Sequence, residues 1–309
     1  MRVSNFGLVF GATLPVLVAA GGCASTANGS GPNGAGSAGK DGIGGNGGAL
    51  FGGGAGEGGL LGANGGEGGA LSGSGSQADD AGGSASLTLT IRDFKMHDPN
   101  DPNTNPDFEN AIGDDRGIVA TTLGADRKPV YAHTGGTTTT HGPTYFDQWY
   151  HDTPGMNVDV QYPITLTANA DGTYGFDSRV TGVPLSASDP TKQFFPIDDG
   201  TPYATAFGNQ GLAHNYSFTT ELHTVFTYHG GETFSFSGDD DVFVFVDGTL
   251  VIDLGGVHVR EQASVQLDTL GLTKGEEYPL DLFGAERHTI ESNVSFTTTL
   301  NLRPAPPIQ

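Results

Sequence analysis

The chain has a single cysteine, Cys23, among 309 residues. A lone thiol forms no internal disulfide, no multi-cysteine zinc site and no Cys-x-x-Cys redox pair. Basic residues are also scarce: 13 Lys and Arg stand against 35 Asp and Glu, for a formal net charge of -22. Phosphate backbones and anionic membranes are held by clustered Lys and Arg, so charge-driven binding to nucleic acid or to a membrane surface is excluded. An acidic surface suits cations or neutral polar ligands. Histidine occurs without His-x-His or His-Glu-x-x-His spacing, the usual sequence sign of a zinc site. No window shows helical periodicity as strong as the strand pattern described below. No nucleophile or paired-acid spacing stands out either, which leaves a polysaccharide-acting enzyme the least supported function class.

What is abundant is glycine, 51 residues crowded toward the N-terminus. Residues 1–22 begin with Arg2, continue through the apolar run Leu8 to Ala20 and end in small residues before Cys23. That is the layout of an export signal, and the run is short for a membrane span. The string VLVAAGGC resembles a bacterial lipobox, with Ala20 where Leu is usual. The resemblance implies lipidation at Cys23, and Ala24 and Ser25 after it favour the outer membrane or cell surface, with ordinary secretion as the alternative. Residues 23–86 are the anchor cysteine and a flexible tether, about two residues in five being Gly. Such a stretch has too little apolar surface to offset chain entropy, and at random-coil scaling it reaches about 40 to 50 Å.

From Leu87 the text changes. LTLTIRDF alternates apolar and polar residues, and strand-like runs recur at Pro163 to Ala168, Thr173 to Phe176, Tyr216 to Tyr228, Glu232 to Phe236, Val242 to Val246, Leu250 to Asp253, Ala263 to Leu267, Tyr278 to Phe283 and Val294 to Leu302. Gly, Pro, Asn and Asp turns separate them, so residues 87–302 are expected to form an all-β domain, an antiparallel β-sandwich or barrel with long loop insertions. Between Met96 and Tyr162 an insertion is expected, with one short helix near Asn105 to Ile112. Residues 303–309, RPAPPIQ, read as a disordered proline-rich tail.

The most informative stretch is FSFSGDDDVFVFVDGTLVIDLGGVH, Phe234 to His258. It reads as strand, acidic corner, strand, two-residue turn at Asp247-Gly248, strand. Asp239, Asp240 and Asp241 repel one another where folding holds them close, and a hard cation such as calcium would resolve that repulsion. A solvated acidic turn is the plainer reading of the same residues. Because alternate strand residues face opposite sides, at most two of the three aim at one ion without a bend. Elsewhere, Tyr145, Phe146, Trp149 and Tyr150 offer either a sugar-binding platform or core. Glu286, Arg287 and His288 offer an acid and base, or a Glu–Arg pair bracing a turn. Asp114, Asp115 and Arg116 read as a second acidic turn or an Asp–Arg bridge, Asp253 as a turn-setter, and His214, His258 and His288 as loop-fixing hydrogen-bonders.

The ordered segments RDFKMHDPN, PDFENAIGDDRGIV, LGADRKPVYA, YFDQWYHDTPGMNV, FFPIDDG, HNYSFTTEL, FTYHGGETFSFSGDDDVFVFVDGTLVIDLGGVH and LDTLGLTKGEEYPLDLFGAERHTIESN together resemble the fibro-slime domain of myxobacterial surface proteins and secreted slime-mould proteins. The C-terminal half is similar to the anthrax protective-antigen-type β-sandwich, the PA-fourteen family. That family's pattern is Asp-Asp-Gly, four strand residues, an apolar residue and Asp-Gly, and Asp239 to Gly248 matches it with Asp241 in place of Gly. In the sugar-binding adhesins of the family, an Asp pair joined by a cis peptide grips calcium with oxygens from a later loop. The resemblance therefore implies Asp239 and Asp240 as the pair, Asn293 in the loop Glu286 to Asn293 as a further calcium ligand, and Asp241 as an added one. It also points to Glu286, His288 and Trp149 as ligand-binding residues.

These readings describe a calcium-dependent carbohydrate or extracellular-matrix binding module, not an enzyme, held outside the cell on a lipid anchor. The alternatives are a structural or assembly matrix protein without a small ligand and, more remotely, a polysaccharide-acting enzyme.

Overall fold

The computed structural model describes residues 85–203 and 214–306. The export signal, Cys23, the tether and residues 307–309 lie outside the described residues. Fifteen strands follow in chain order: β1 (Ala85–Phe94), β2 (Gly113–Asp114), β3 (Asn157–Ala168), β4 (Tyr174–Asp177), β5 (Val183–Pro184), β6 (Lys192–Gln193), β7 (Phe218–Thr227), β8 (Thr233–Gly238), β9 (Asp241–Val246), β10 (Thr249–Leu254), β11 (Gly256–Val257), β12 (Glu261–Gln266), β13 (Glu277–Glu286), β14 (Val294–Thr298) and β15 (Arg303–Pro304). Two short helices, α1 (Pro143–Tyr150) and α2 (Ser178–Thr181), complete the set.

Eleven strands form one antiparallel sheet in the order β10-β9-β13-β7-β1-β3-β4-β14-β8-β12, with β15 added on β7. The end strands β10 and β12 approach each other, so the sheet nearly closes into a barrel, as the strand pattern anticipates. Closure of this kind leaves few open edges. Inside it lies the main core, in which Ile91, Leu222, Phe226, Phe234, Phe236, Val244 and Phe296 are all buried.

Strand β9 explains why DVFVFV has no polar face. Val242, Val244 and Val246 point into the barrel, while Phe243 and Phe245 point outward into a second core with Phe283, Ile118, Phe146, Trp149 and Tyr150. The long insertion thus covers the outer face of β9 and β13, and the strand is buried on both sides. At its far end Asp247 and Gly248 both have positive φ, 50° and 70°, between the paired Val246 and Thr249. That is the conformation a two-residue hairpin of this composition adopts.

Two expectations are corrected. Asn105 to Ile112 forms turns, and the helix in the insertion is α1 instead. Gly142, at φ 111°, leads into Pro143 at the start of α1, and Phe146, Trp149 and Tyr150 at i, i+3 and i+4 form its buried stripe. Eight residues are too few for a periodic signal to emerge from the sequence. The tail is likewise not free at its start, since Arg303 and Pro304 pair with Val225 and Thr224 of β7.

Candidate functional site

The acidic corner joins the two halves of the sheet. Strand β8 runs between β12 and β14, and after Asp239 and Asp240 the chain enters β9 beside β13. The bend is made by Asp240, whose φ of 49° is left-handed, a conformation Asp tolerates better than most residues. One consequence is that the three carboxylates leave the chain toward three different sets of partners.

Asp239 faces Asn293: the Asn293 backbone N–H donates to Oδ1, and its side-chain Nδ2 donates to Oδ2 at 2.9 Å. Asp240 Oδ2 accepts from the backbone N–H groups of Arg287 at 2.8 Å and His288 at 2.9 Å. Asp241 Oδ1 accepts from Gly256 N at 2.7 Å, and its Oδ2 from Arg287 Nε at 2.6 Å. The loop Glu286 to Asn293 therefore does meet the corner, as the resemblance implies. The cis peptide among the described residues joins Thr289 to Ile290 in that loop.

Arg287, expected to brace a turn with Glu286, pairs with the acidic corner instead. Its side chain is fully buried, donates from Nη1 to the carbonyls of Asp107 at 3.0 Å and Thr139 at 2.8 Å, and lies 4.5 Å over the Trp149 ring. Trp149 in turn donates from Nε1 to Asp107 Oδ2 at 3.2 Å. Read locally, Arg287 pairs with Glu286; in space it pairs with Asp241 across 46 residues. Its rarity in so acidic a chain was the one available signal. Part of the cation that three adjacent carboxylates call for is thus supplied by the chain itself. Asp241, with both oxygens taken and no exposure, braces the insertion against the sheet rather than offering a free ligating oxygen.

Trp149 is corrected as well. It is fully buried between Arg287 and Phe146, so its ring offers no platform to a sugar. The supposed Asp–Arg bridge is absent: Asp115 accepts from Thr137 Oγ1 at 2.5 Å and Thr139 N at 2.8 Å, while Arg116 pairs with Glu261. Asp253 does set a turn, accepting from Gly255 N at 3.0 Å. The histidines hold loops: His214 contacts Asp198 at 2.6 Å and stacks on Phe195 at 3.9 Å, His258 contacts the carbonyls of Val259 and Leu254, and His288 contacts the carbonyl of Thr289.

One arginine does not offset the corner's charge. Burial pushes Asp239 up to about 6, against its bonds from Asn293, and burial pushes Asp240 well above the usual carboxylate range although Arg287 opposes it. Glu286, at the end of β13, is raised by burial and then by Asp240 and Asp239, and its Oε1 is buried without a hydrogen-bond partner. Buried carboxylates that raise one another in this way lack a counter-charge.

Asp239 and Asp240 lie in the wall of a surface pocket of about 200 Å³, with His258, His288 and Glu291 beside them. No Lys or Arg lines it. Among the described residues no three His, Cys, Asp or Glu side chains converge as a ready ligand set. Calcium takes six to eight oxygens, many from carbonyls and water. The chemistry of this corner, two under-compensated carboxylates and an orphaned carboxylate oxygen behind them, fits such an ion with Asp239 and Asp240 as its acidic ligands. Asn293 commits its Nδ2 to Asp239, which leaves its amide oxygen as the atom of that residue able to ligate.

One family model and several relatives match this chain. The family model of the PA14 domain matches residues 203–305. Protein psiD of Dictyostelium discoideum is 43% identical over 194 residues, covering 60% of this chain and 36% of its own length. Protein psiC of the same organism is 40% identical over 240 residues, covering 71% of this chain and 42% of its own. The chain thus spans less than half the length of the curated relatives it matches. Among solved structures, the PA14 domain of the MpAFP antifreeze protein overlaps at a TM-score of 0.24 and 10% identity, over 74% of this chain and 88% of that one. The Epithelial Adhesin 6 A domain from Candida glabrata, solved in complex with Galb1-3GlcNAc, overlaps at 0.23 and 15% identity, over 66% and 85%.

Proposed function

We propose that the chain, whose residues 203–305 match the family model of the PA14 domain, is a calcium-dependent carbohydrate or matrix-binding adhesion module of fibro-slime type, without catalytic activity, displayed outside the cell. The observation that carries this reading is the charge deficit at the corner: Asp239 and Asp240 wall a surface pocket lined by no Lys or Arg, and Arg287 behind it offsets Asp240 only in part. A bound calcium would offset that charge and present open coordination positions to sugar hydroxyls. The chain's own residues hold the carboxylates in place, Asn293 on Asp239 and the amides of Arg287 and His288 on Asp240. Lipidation at Cys23, with the glycine-rich tether behind it, supplies the anchor in this reading.

Isothermal titration of the full chain with calcium, beside an Asp239→Asn, Asp240→Asn double variant, tests the metal. Calcium-dependent heat and a raised melting temperature are expected in the parent and not in the variant, and their absence from the parent sinks the metal reading. A glycan array with calcium and with chelator tests the ligand. Chelator-sensitive glycan binding is expected. If calcium binds but no glycan does, the structural or assembly matrix role takes precedence.

A further inference from the structure

The pocket over the acidic corner has a rim that an ion alone would not use. Six large hydrophobic residues are exposed among the described residues, and three of them, Ile112 at 68%, Val259 at 79% and Ile290 at 50%, line this one pocket. They come from three separate segments: the loop before β2, the turn after β11 and the loop between β13 and β14. Val257, buried, continues the aliphatic wall inward. A hydrated cation gains nothing from branched aliphatic side chains, whereas apolar ligand atoms do. The lining contains no Phe, Tyr or Trp, so it offers no flat platform for the face of a sugar ring. Branched side chains instead enclose a protruding methyl group. The volume, about 200 Å³, falls below the 300 to 1,000 Å³ typical of drug-sized sites and suits one ring rather than a length of polymer.

We infer that this pocket recognises a single terminal sugar residue bearing a methyl group, its hydroxyls directed to the Asp239 and Asp240 side and its methyl to the collar of Ile112, Val259 and Ile290. The inference rests on the carbohydrate reading above and adds the ligand class. The methyl belongs either to a 6-deoxy sugar or to an acetamido group.

The test titrates the full chain, with calcium present, against matched monosaccharides: L-fucose beside L-galactose, which differ only at the 6-deoxy carbon, and N-acetylglucosamine beside N-formylglucosamine, which differ only at the acetyl methyl. In at least one pair the methyl-bearing member is expected to bind about fourfold tighter, the worth of one buried methyl. Preference in the first pair identifies the deoxy sugar, and in the second the acetamido sugar. The double substitution Val259→Ser, Ile290→Ser, at exposed positions and with the melting temperature measured alongside, is expected to erase the preference while the non-methylated partner still binds. Equal affinities within both pairs, or a preference that survives the double substitution, overturn the inference while the carbohydrate reading stands. Binding of none of the four in calcium overturns the inference, and the glycan array then decides whether the carbohydrate reading stands.

Discussion

Replacing Asp239 by Asn should make the protein more stable at neutral pH when calcium is withheld. The carboxyl of Asp239 is raised from 3.8 to about 6 in the folded state by burial. A raised carboxylate costs stability as pH rises, because between those values the unfolded chain ionises while the folded one does not. The cost is zero below 3.8, grows through the window up to about 6 and is then constant. At about 1.36 kcal/mol per unit it amounts to about 3 kcal/mol. Asn carries no charge at any pH and so escapes it. The substituted side chain must still meet Asn293, which now donates to both carboxylate oxygens. A flip of the Asn293 amide restores one bond, and imperfect pairing returns about 1 kcal/mol. The net gain is then about 2 kcal/mol, or about 4 to 8 °C in Tm for a domain of this size. Thermal unfolding in chelator from about pH 4 to about pH 8 measures it: the variant should melt slightly below the parent at the acid end, cross it within the window and stand above it at neutral pH. Calcium should raise the parent's Tm and leave the variant's alone. The reasoning is refuted if the variant melts below the parent at neutral pH by a gap that persists to about pH 4.

Two further outcomes are predicted. Replacing Arg287 by Met strands Asp241 and Asp240 in the interior without their counter-charge and should cost about 3 to 5 kcal/mol in urea unfolding; Arg287→Lys should recover only part of it, since an ammonium cannot serve Asp241, Asp107 and Thr139 together. A loss under about 1 kcal/mol for the Met variant contradicts the bracing role. On the other side of β13, His223 places Nε2 2.5 Å from Glu221 and Nδ1 2.6 Å from Asp281, which only an imidazolium can satisfy with two donated bonds. Burial lowers its proton affinity, but the bonds to Asp281 and Glu221 outweigh this and raise it above 6.5, so its contribution is present below 6.5 and lost as pH climbs through the folded value. Glu221, buried yet held down to about 2 by His223, Lys128 and Arg92, contributes above 4.5 and loses that contribution as pH falls toward about 2. Nuclear magnetic resonance titration should find His223 above 6.5 in the parent and lower in Glu221→Gln; a parent value at or under 6.5 contradicts the assignment.

Local chemistry settled much of this protein before folding is considered. The alternation of LTLTIRDF, the Asp247-Gly248 turn and the Gly, Pro, Asn and Asp breaks between strands each depend on neighbours a few residues apart, and so the all-β domain and its hairpins were readable. The repulsion among Asp239, Asp240 and Asp241 was readable for the same reason, as was the need for positive charge nearby. Where that charge comes from was not. Arg287 reaches Asp241 across 46 residues and Thr139 across 148, and the residue beside it, Glu286, is the wrong partner. Nothing in YFDQWY distinguishes a solvent-facing ring from one under a guanidinium, because that choice is made by the outer face of β9 and β13, which the insertion covers. The sequence by itself determined the strands, the turns and the acidic corner, since each is a short-range matter of backbone preference and charge. Only the tertiary structure decided that Asp241 is braced from within, that Asp239 and Asp240 face a pocket, and that Ile112, Val259 and Ile290 meet around it, because those relations depend on which distant segments the nearly closed sheet brings together.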